Sequence, residues 1–120
     1  MPPENPPLTA EDARAIALSL PEAEEGKSYG TAAFRVGKKF FARLREDGET
    51  LVVKVDLDER EVLLQAHPEA FFITDHYQGY PLMLVRLPAV SRDELRERLE
   101  ESWRRSAPAR LVAAQPSLSK

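Results

Sequence analysis

Ala33-Phe34-Arg35-Val36-Gly37-Lys38-Lys39-Phe40-Phe41-Ala42-Arg43-Leu44-Arg45-Glu46-Asp47-Gly48-Glu49-Thr50-Leu51-Val52-Val53-Lys54-Val55 is the stretch on which the fold turns. Apolar residues alternate in three runs: Phe34 and Val36, then Phe40, Ala42 and Leu44, then Leu51, Val53 and Val55. Period-two alternation marks strands with one buried face. Turn chemistry at Gly37-Lys38 and at Glu46-Asp47-Gly48-Glu49 separates the runs, so the strands are antiparallel neighbours. A loop over 46–49 pairs Leu44 with Leu51 and Ala42 with Val53, which keeps the apolar sets on one face. The first turn carries a conflict. Glycine at 37 favours a two-residue loop, which pairs Phe34 with Phe41 and Arg35 with Phe40 and mixes the faces. A three-residue loop pairs Val36 with Phe40 and keeps the faces consistent. The apolar pattern is the stronger constraint, because a one-residue slip exposes every core side chain of the strand. That register turns Arg35, Phe41, Arg43, Arg45, Val52 and Lys54 away from the Phe34/Phe40/Leu44 face.

Upstream, Thr9 is an N-cap with Asp12 three residues on, and Ala13, Ile16, Ala17 and Leu20 follow at helical spacing. Pro21 ends this helix, placed at about 10–20, because proline disfavours helical geometry in the residue before it. Downstream, Asp56 or Asp58 caps a second helix over about 59–67, with Val62, Leu63 and Ala66 buried and Pro68 as its stop. Residues 70–74 and 82–87 are two further strands; the second is almost continuously apolar, as a strand covered on both faces is. The polar and aromatic loop Asp75-His76-Tyr77-Gln78-Gly79-Tyr80-Pro81 lies between them. Ser91 and Glu94 form a capping box for a helix over about 92–106, whose inner stripe is Leu95, Leu99 and Trp103. Its outer face alternates charge, with Glu94–Arg98 and Glu100–Arg104 at i,i+4 spacing. Pro108 is its stop.

The element order is therefore α-β-β-β-α-β-β-α, a two-layer α+β domain with an antiparallel sheet and helices. Residues 9–110 form the single domain, after a flexible proline-rich lead-in over 1–8 and before a loose C-terminal tail over 111–120.

Composition narrows the function classes. The chain has 120 residues, 42% hydrophobic and 31% charged, which suits one globular core. It has no cysteine, which excludes disulfides, thiolate catalysis and thiolate metal sites. The start, Met1 to Pro7, lacks the basic-then-apolar order of a signal peptide. No apolar run approaches the ~20 residues of a membrane helix. The expectation is a cytoplasmic protein with no membrane role. The net charge of −3 hides an uneven distribution: residues 26–45 carry six bases (Lys27, Arg35, Lys38, Lys39, Arg43, Arg45) and no acid.

That basic window carries the first candidate site. Arg35, Lys38, Lys39, Phe41, Arg43, Arg45 and Lys54 combine cations that neutralise phosphates with a ring on which a base can stack. Lys38 and Lys39 sit at the hairpin tip, where they would act as a wing on a backbone. His76 is the weaker, catalytic candidate: with Asp75, Tyr77 and Tyr80 it forms the one loop with acid–base equipment, and Ser28 and Tyr29 are the residues that would have to come near it. His67 and His76 lie nine apart, a poor spacing for metal, and the five glycines are isolated, so no phosphate-cradling loop exists. No cofactor and no metal are expected.

The run Ser28-Tyr29-Gly30-Thr31-Ala32-Ala33-Phe34-Arg35-Val36-Gly37-Lys38-Lys39-Phe40-Phe41-Ala42 resembles the signature of the MmcQ/YjbR-like proteins. The block His76-Tyr77-Gln78-Gly79-Tyr80-Pro81-Leu82-Met83-Leu84-Val85-Arg86-Leu87 and the later Trp103-Arg104 and Ala107-Pro108 are similar to one branch of that family. The resemblance covers about residues 8–112. It implies the same α+β element order, similar to type III secretion chaperones. Some members carry a DNA-binding label because their shape is similar to a double-wing domain, an analogy of fold, which does not transmit function. The resemblance implies no catalytic residues, and where other members have His-Trp this chain has no tryptophan beside His76. Three readings stand: a non-enzymatic nucleic-acid-binding domain using the basic strand face, a protein-interaction or chaperone-like module whose partner is another protein or a second copy in a homodimer, and an enzyme centred on His76.

Overall fold

The structure, a computed structural model, describes residues 6–28 and 30–114. Its first helix, α1 (Ala10–Leu18), starts at a complete Thr9/Asp12 capping box: the Asp12 carboxylate accepts from the Thr9 N–H at 2.8 Å. Then come β1 (Glu24–Ser28), β2 (Thr31–Val36), β3 (Lys39–Leu44) and β4 (Thr50–Lys54), followed by α2 (Leu57–Ala66), β5 (Phe71–Phe72) and β6 (Leu82–Arg86). The chain closes with α3 (Arg92–Ser106) and the short α4 (Ala109–Ala113). The six strands form one sheet in the order β1-β2-β3-β4-β6-β5, every pair antiparallel. The α+β class and the antiparallel sheet are as the sequence implies. The edge strand β1 was not legible, because Glu24-Glu25-Gly26-Lys27-Ser28 has no apolar alternation and leaves none of its residues fully buried.

The conflict at Gly37 resolves by satisfying both signals. The turn has two residues, with Gly37 (φ 59°) and Lys38 (φ 73°) both left-handed, the requirement of a type I′ hairpin. Arg35 therefore pairs with Phe40 and Val36 with Lys39, and the expected three-residue loop is wrong. One residue further on, Phe34 pairs with Ala42, so Phe41 is an extra residue in β3, a β-bulge. The bulge restores the apolar register. Phe41 and Ala42 both face the helices and are buried with Phe34, Val36 and Leu44. Phe40 moves to the Arg35 face instead. Gly37 also has no room for a side chain, since a Cβ there would lie 2.8 Å from Pro108 Cδ.

At 46–49 the expected pairing holds, with Leu44 opposite Leu51 and Ala42 opposite Val53. The main core lies between the sheet and helices α1 and α3, where Ile16, Ala17, Leu95, Leu99 and Trp103 meet Phe34, Phe41, Leu51, Met83 and Val85. Trp103 is core, and its indole N–H donates to the Pro21 carbonyl at 2.9 Å. Strand β6 is covered on both faces as expected: Met83, Leu84 and Val85 are all buried.

Helix α2 departs from the reading. Val62 is 65% exposed, Ala66 is exposed and Leu63 half-buried, while the buried residue is Arg60. The charge pairs of α3 also differ. Glu94 completes the Ser91 capping box and meets His67 Nδ1 at 3.1 Å, Arg98 reaches Glu59 at 3.3 Å, Glu100 meets Arg96, and Arg104 meets Glu101. Glu94 and Arg98 thus take tertiary partners, whereas Glu100 and Arg104 pair inside the helix, with Arg96 and Glu101 and not with each other. Beyond Pro108, α4 packs Leu111 against the core; residues 1–5 of the lead-in and 115–120 of the tail fall outside the described residues.

Candidate functional site

The sheet face opposite the main core is built from two cross-strand rows. The first runs Gly26, Ala33, Arg43, Val52, Leu84, Phe72, each opposite the next. The second sets Glu24 opposite Arg35, Arg35 opposite Phe40, and Lys54 opposite Leu82. The 73–81 loop folds over one end of this face. Its Tyr77 is buried against Val52 and Leu84, in a small second core with Phe72, Ile73 and Leu82 packed around it. What remains open is a concave groove of about 580 Å³, lined by Arg35, Lys38 and Arg43, by Phe40, Tyr77 and Tyr80, and by Ser28 and His76 among others. Among the described residues, no carboxylate lines it.

Each cation is held differently. The Arg35 side chain lies over Gly26 of β1, where a Cβ would come within 3.1 Å of its Nη2. The Arg43 guanidinium donates to Tyr77 Oη at 3.2 Å and so ties β3 to the loop. The ammonium of Lys54 stands 5.2 Å from the centre of the Phe40 ring, a cation–π contact. Its pKa is lowered, first by burial and then by the positive charges of Lys39 and Arg105. Like charges gathered without an acid store repulsion that a bound anion would relieve. Among the described residues, no carboxylate lies within 4.0 Å of Arg35, Lys38, Lys39, Arg45 or Lys54.

A family model described as YjbR matches residues 18–105, which include all of this sheet and most of the helical layer. The chain belongs to the YjbR family. The crystal structure of Deinococcus radiodurans protein DR2400, described by the family model DUF419, shares the fold with a TM-score of 0.71 at 26% identity, covering 97% of this chain and 91% of that one. Uncharacterised proteins of Mycobacterium tuberculosis and Mycobacterium bovis are 37% identical over 68 residues, 56% of this chain and 53% of theirs. The chain thus spans about half the length of those curated relatives.

In this YjbR-family chain the candidate residues divide. Arg35, Lys38 and Arg43 come together in the groove, and Lys54 borders it through Phe40. Lys39 is exposed at the hairpin tip. Arg45 lies beside the groove in a smaller recess of about 230 Å³ shared with Glu46, Thr31 and His76. Phe41 is not part of the face at all: the bulge buries it completely, and Phe40 is the ring that takes its place. His76 and Ser28 line the same groove, with the His76 ring edge-on to Tyr77 at 5.0 Å, but no hydrogen bond joins them among the described residues. Tyr29 falls outside the described residues.

One residue that shapes the YjbR-family site left no trace in the sequence reading. Arg60, 6% exposed, reaches from α2 under the 73–81 loop. Its Nη1 donates to the carbonyls of Tyr77, Tyr80 and Leu82 at 3.2, 2.7 and 3.0 Å, and its Nη2 to that of Gln78 at 2.9 Å. Those carbonyls run from the 3-10 turn at Asp75–Tyr77 to the first residue of β6, and two of them, of Tyr77 and Tyr80, also accept the N–H groups of Tyr80 and Leu82. The guanidinium fork satisfies all four at once and fixes the groove wall, which a lysine's point charge would not do.

Proposed function

We propose that this protein binds single-stranded nucleic acid along the open face of its sheet, without chemistry on the bound strand. The observation that carries this reading is the lining of the groove: Arg35, Lys38 and Arg43 beside Phe40 and Tyr80, with no carboxylate among them. Cations there would neutralise phosphates, and Tyr80, 59% exposed, offers a ring face to a base. Unpaired bases are favoured over a duplex because stacking on a ring at the wall of a groove needs a base free of its own stack. The attraction is local, since the whole chain carries −3. Absence of cysteine accords with a reducing cytoplasm, the compartment we assign to it.

The test is titration of the protein into labelled single- and double-stranded DNA and RNA at about 50 and 200 mM salt. Several phosphate contacts should lower affinity by orders of magnitude between those salts. The informative variant replaces Arg35 and Lys38 with glutamate. Arg43 is a poorer choice because it also holds Tyr77. Binding at low salt that the double variant abolishes supports the groove; no binding of any strand at low salt sinks the proposal.

A further inference from the structure

Past the ridge formed by Tyr80, Pro81 and Leu82 the surface drops into a second recess of about 510 Å³, lined by those residues together with Lys54 and Arg105. Tyr80 and Leu82 line both hollows, so the two are neighbours across one ridge. Arg105 comes from the last turn of α3, and the next residue, Ser106, donates to the Phe40 carbonyl at 3.1 Å, which holds this end of the helix against β3. Neither Lys54 nor Arg105 has an ion-pair partner among the described residues, and Lys54 is repelled by both Lys39 and Arg105. The ridge is rigid: Arg60 holds the carbonyls of Tyr80 and Leu82 from below, and the Pro81 carbonyl accepts from the Val55 N–H at 3.0 Å.

We infer that the binding site is bipartite, with the strand crossing the Tyr80–Leu82 ridge so that one phosphate meets Arg35, Lys38 and Arg43 and a following phosphate meets Lys54 and Arg105. Tyr80 stands between the two as the stacking platform. This rests on the nucleic-acid reading above and adds the extent and direction of the path. Each hollow has a volume within the range that encloses a small ligand, so a mononucleotide fills one and only a longer strand engages both. Because the ridge is already fixed, little ordering is needed when the strand binds. Arg105 is the residue that separates the two ideas, since it touches only the second hollow and is exposed enough to replace without disturbing the core.

The experiment measures displacement of a labelled oligothymidylate from the full chain by unlabelled thymidylates, from the mononucleotide to an octamer. The native protein, Arg105→Ala, Tyr80→Ala and Arg35→Ala are compared, with thermal unfolding to verify that each variant is folded. Arg105→Ala should weaken the octamer several-fold, make its log–log salt dependence shallower by about 0.7, and leave the mononucleotide unchanged. Tyr80→Ala should weaken the octamer by about tenfold. Arg35→Ala should weaken both lengths. If Arg105→Ala binds the octamer as the native protein does while Arg35→Ala is impaired, the site ends at Tyr80 and the bipartite path is wrong, though the groove stands. If no thymidylate of any length binds, the nucleic-acid reading falls and takes this inference with it.

Discussion

Ser102 inserts its hydroxyl into the β-ladder at Phe41. It donates to the Phe41 carbonyl and accepts the Lys54 N–H at 2.9 Å, so a helix side chain stands where β3 and β4 would have bonded directly. Antiparallel ladders alternate narrow and wide pairs; with Arg45 bonded to Thr50 and Arg43 opposite Val52, the next narrow pair is Phe41 with Lys54. The bulge at Phe41 parts that pair, and Ser102 fills the gap. Four residues later Ser106 does the same for the Phe40 carbonyl. Helix α3 thereby holds the backbone distortion that turns Phe41 into the core and Phe40 into the groove.

Ser102→Ala should leave the Phe41 carbonyl and the Lys54 N–H buried without partners. An unsatisfied buried group costs about 1–3 kcal/mol, so urea unfolding should show a loss of that size. Stability within error of the native protein would mean that water or a relaxed ladder replaces the hydroxyl.

The two adjacent phenylalanines should behave as opposites. Phe41→Ala opens a cavity in a fully buried site and should cost about 3–5 kcal/mol. Phe40→Ala, half-buried on the open face, should cost clearly less and should instead weaken strand binding. Equal destabilisation by the two variants would contradict the bulge. Denaturant midpoints and one binding isotherm for each variant decide it.

Arg60→Lys should fail to substitute for the native residue. Hydrogen bonds to a charged group are worth roughly 1.5–3 kcal/mol each, and one ammonium does not reach the Tyr77, Gln78, Tyr80 and Leu82 carbonyls in the same fork. A loss above about 2 kcal/mol is expected. Amide exchange should show the loosening concentrated at 77–82. Exchange unchanged there would show that the loop holds itself.

Lys54→Gln should stabilise the free protein and weaken its binding. Burial, Lys39 and Arg105 all disfavour the charged form, so the folded pKa lies below the ordinary 10.5. A lysine with a lowered folded pKa opposes folding while it is charged, and that opposition fades as pH rises through the folded value. The stabilisation by Lys54→Gln should therefore be present at pH 7 and shrink in alkali. Such a trade of stability for function is common at binding sites. Thermal unfolding at pH 7 and at about pH 10.5, the ordinary lysine range, measures both directions; a destabilised variant at neutral pH would refute the account.

Acid should unfold this protein partly through Asp47 and Glu94. Burial acts to raise both pKa values but is outweighed by hydrogen bonds: for Asp47 from the Glu49 N–H, the Thr50 hydroxyl and the Thr50 N–H, and for Glu94 from the Ser91 N–H and His67. Both folded values therefore lie below the ordinary 3.8 and 4.5. Their contribution is complete above those values and is lost as pH falls through the lower folded ones. Asp47→Asn and Glu94→Gln should be less stable than the native protein at pH 7 and should converge with it in stronger acid. A stability gap that stays constant with pH would exclude the carboxylate charge as the cause.

What the sequence determined by itself was whatever depends on neighbours a few positions away. The Thr9/Asp12 and Ser91/Glu94 capping boxes set the starts of α1 and α3, the 46–49 turn set the Leu44–Leu51 register, and the apolar run at 82–87 announced a strand buried on both faces. The basic window was equally plain, because charge is counted and not folded. Tertiary structure alone decided which side chains share the groove. The bulge at Phe41 depends on Ser102, 61 residues away, and the groove wall depends on Arg60 capturing carbonyls 17 to 22 residues along the chain. A buried arginine and an arginine on a solvated helix face look alike in sequence, since what separates them is the cluster of backbone carbonyls that another part of the fold presents. Phe40 and Phe41 likewise exchange faces through one extra backbone residue, and a period-two pattern read locally holds no signal for where that residue is inserted.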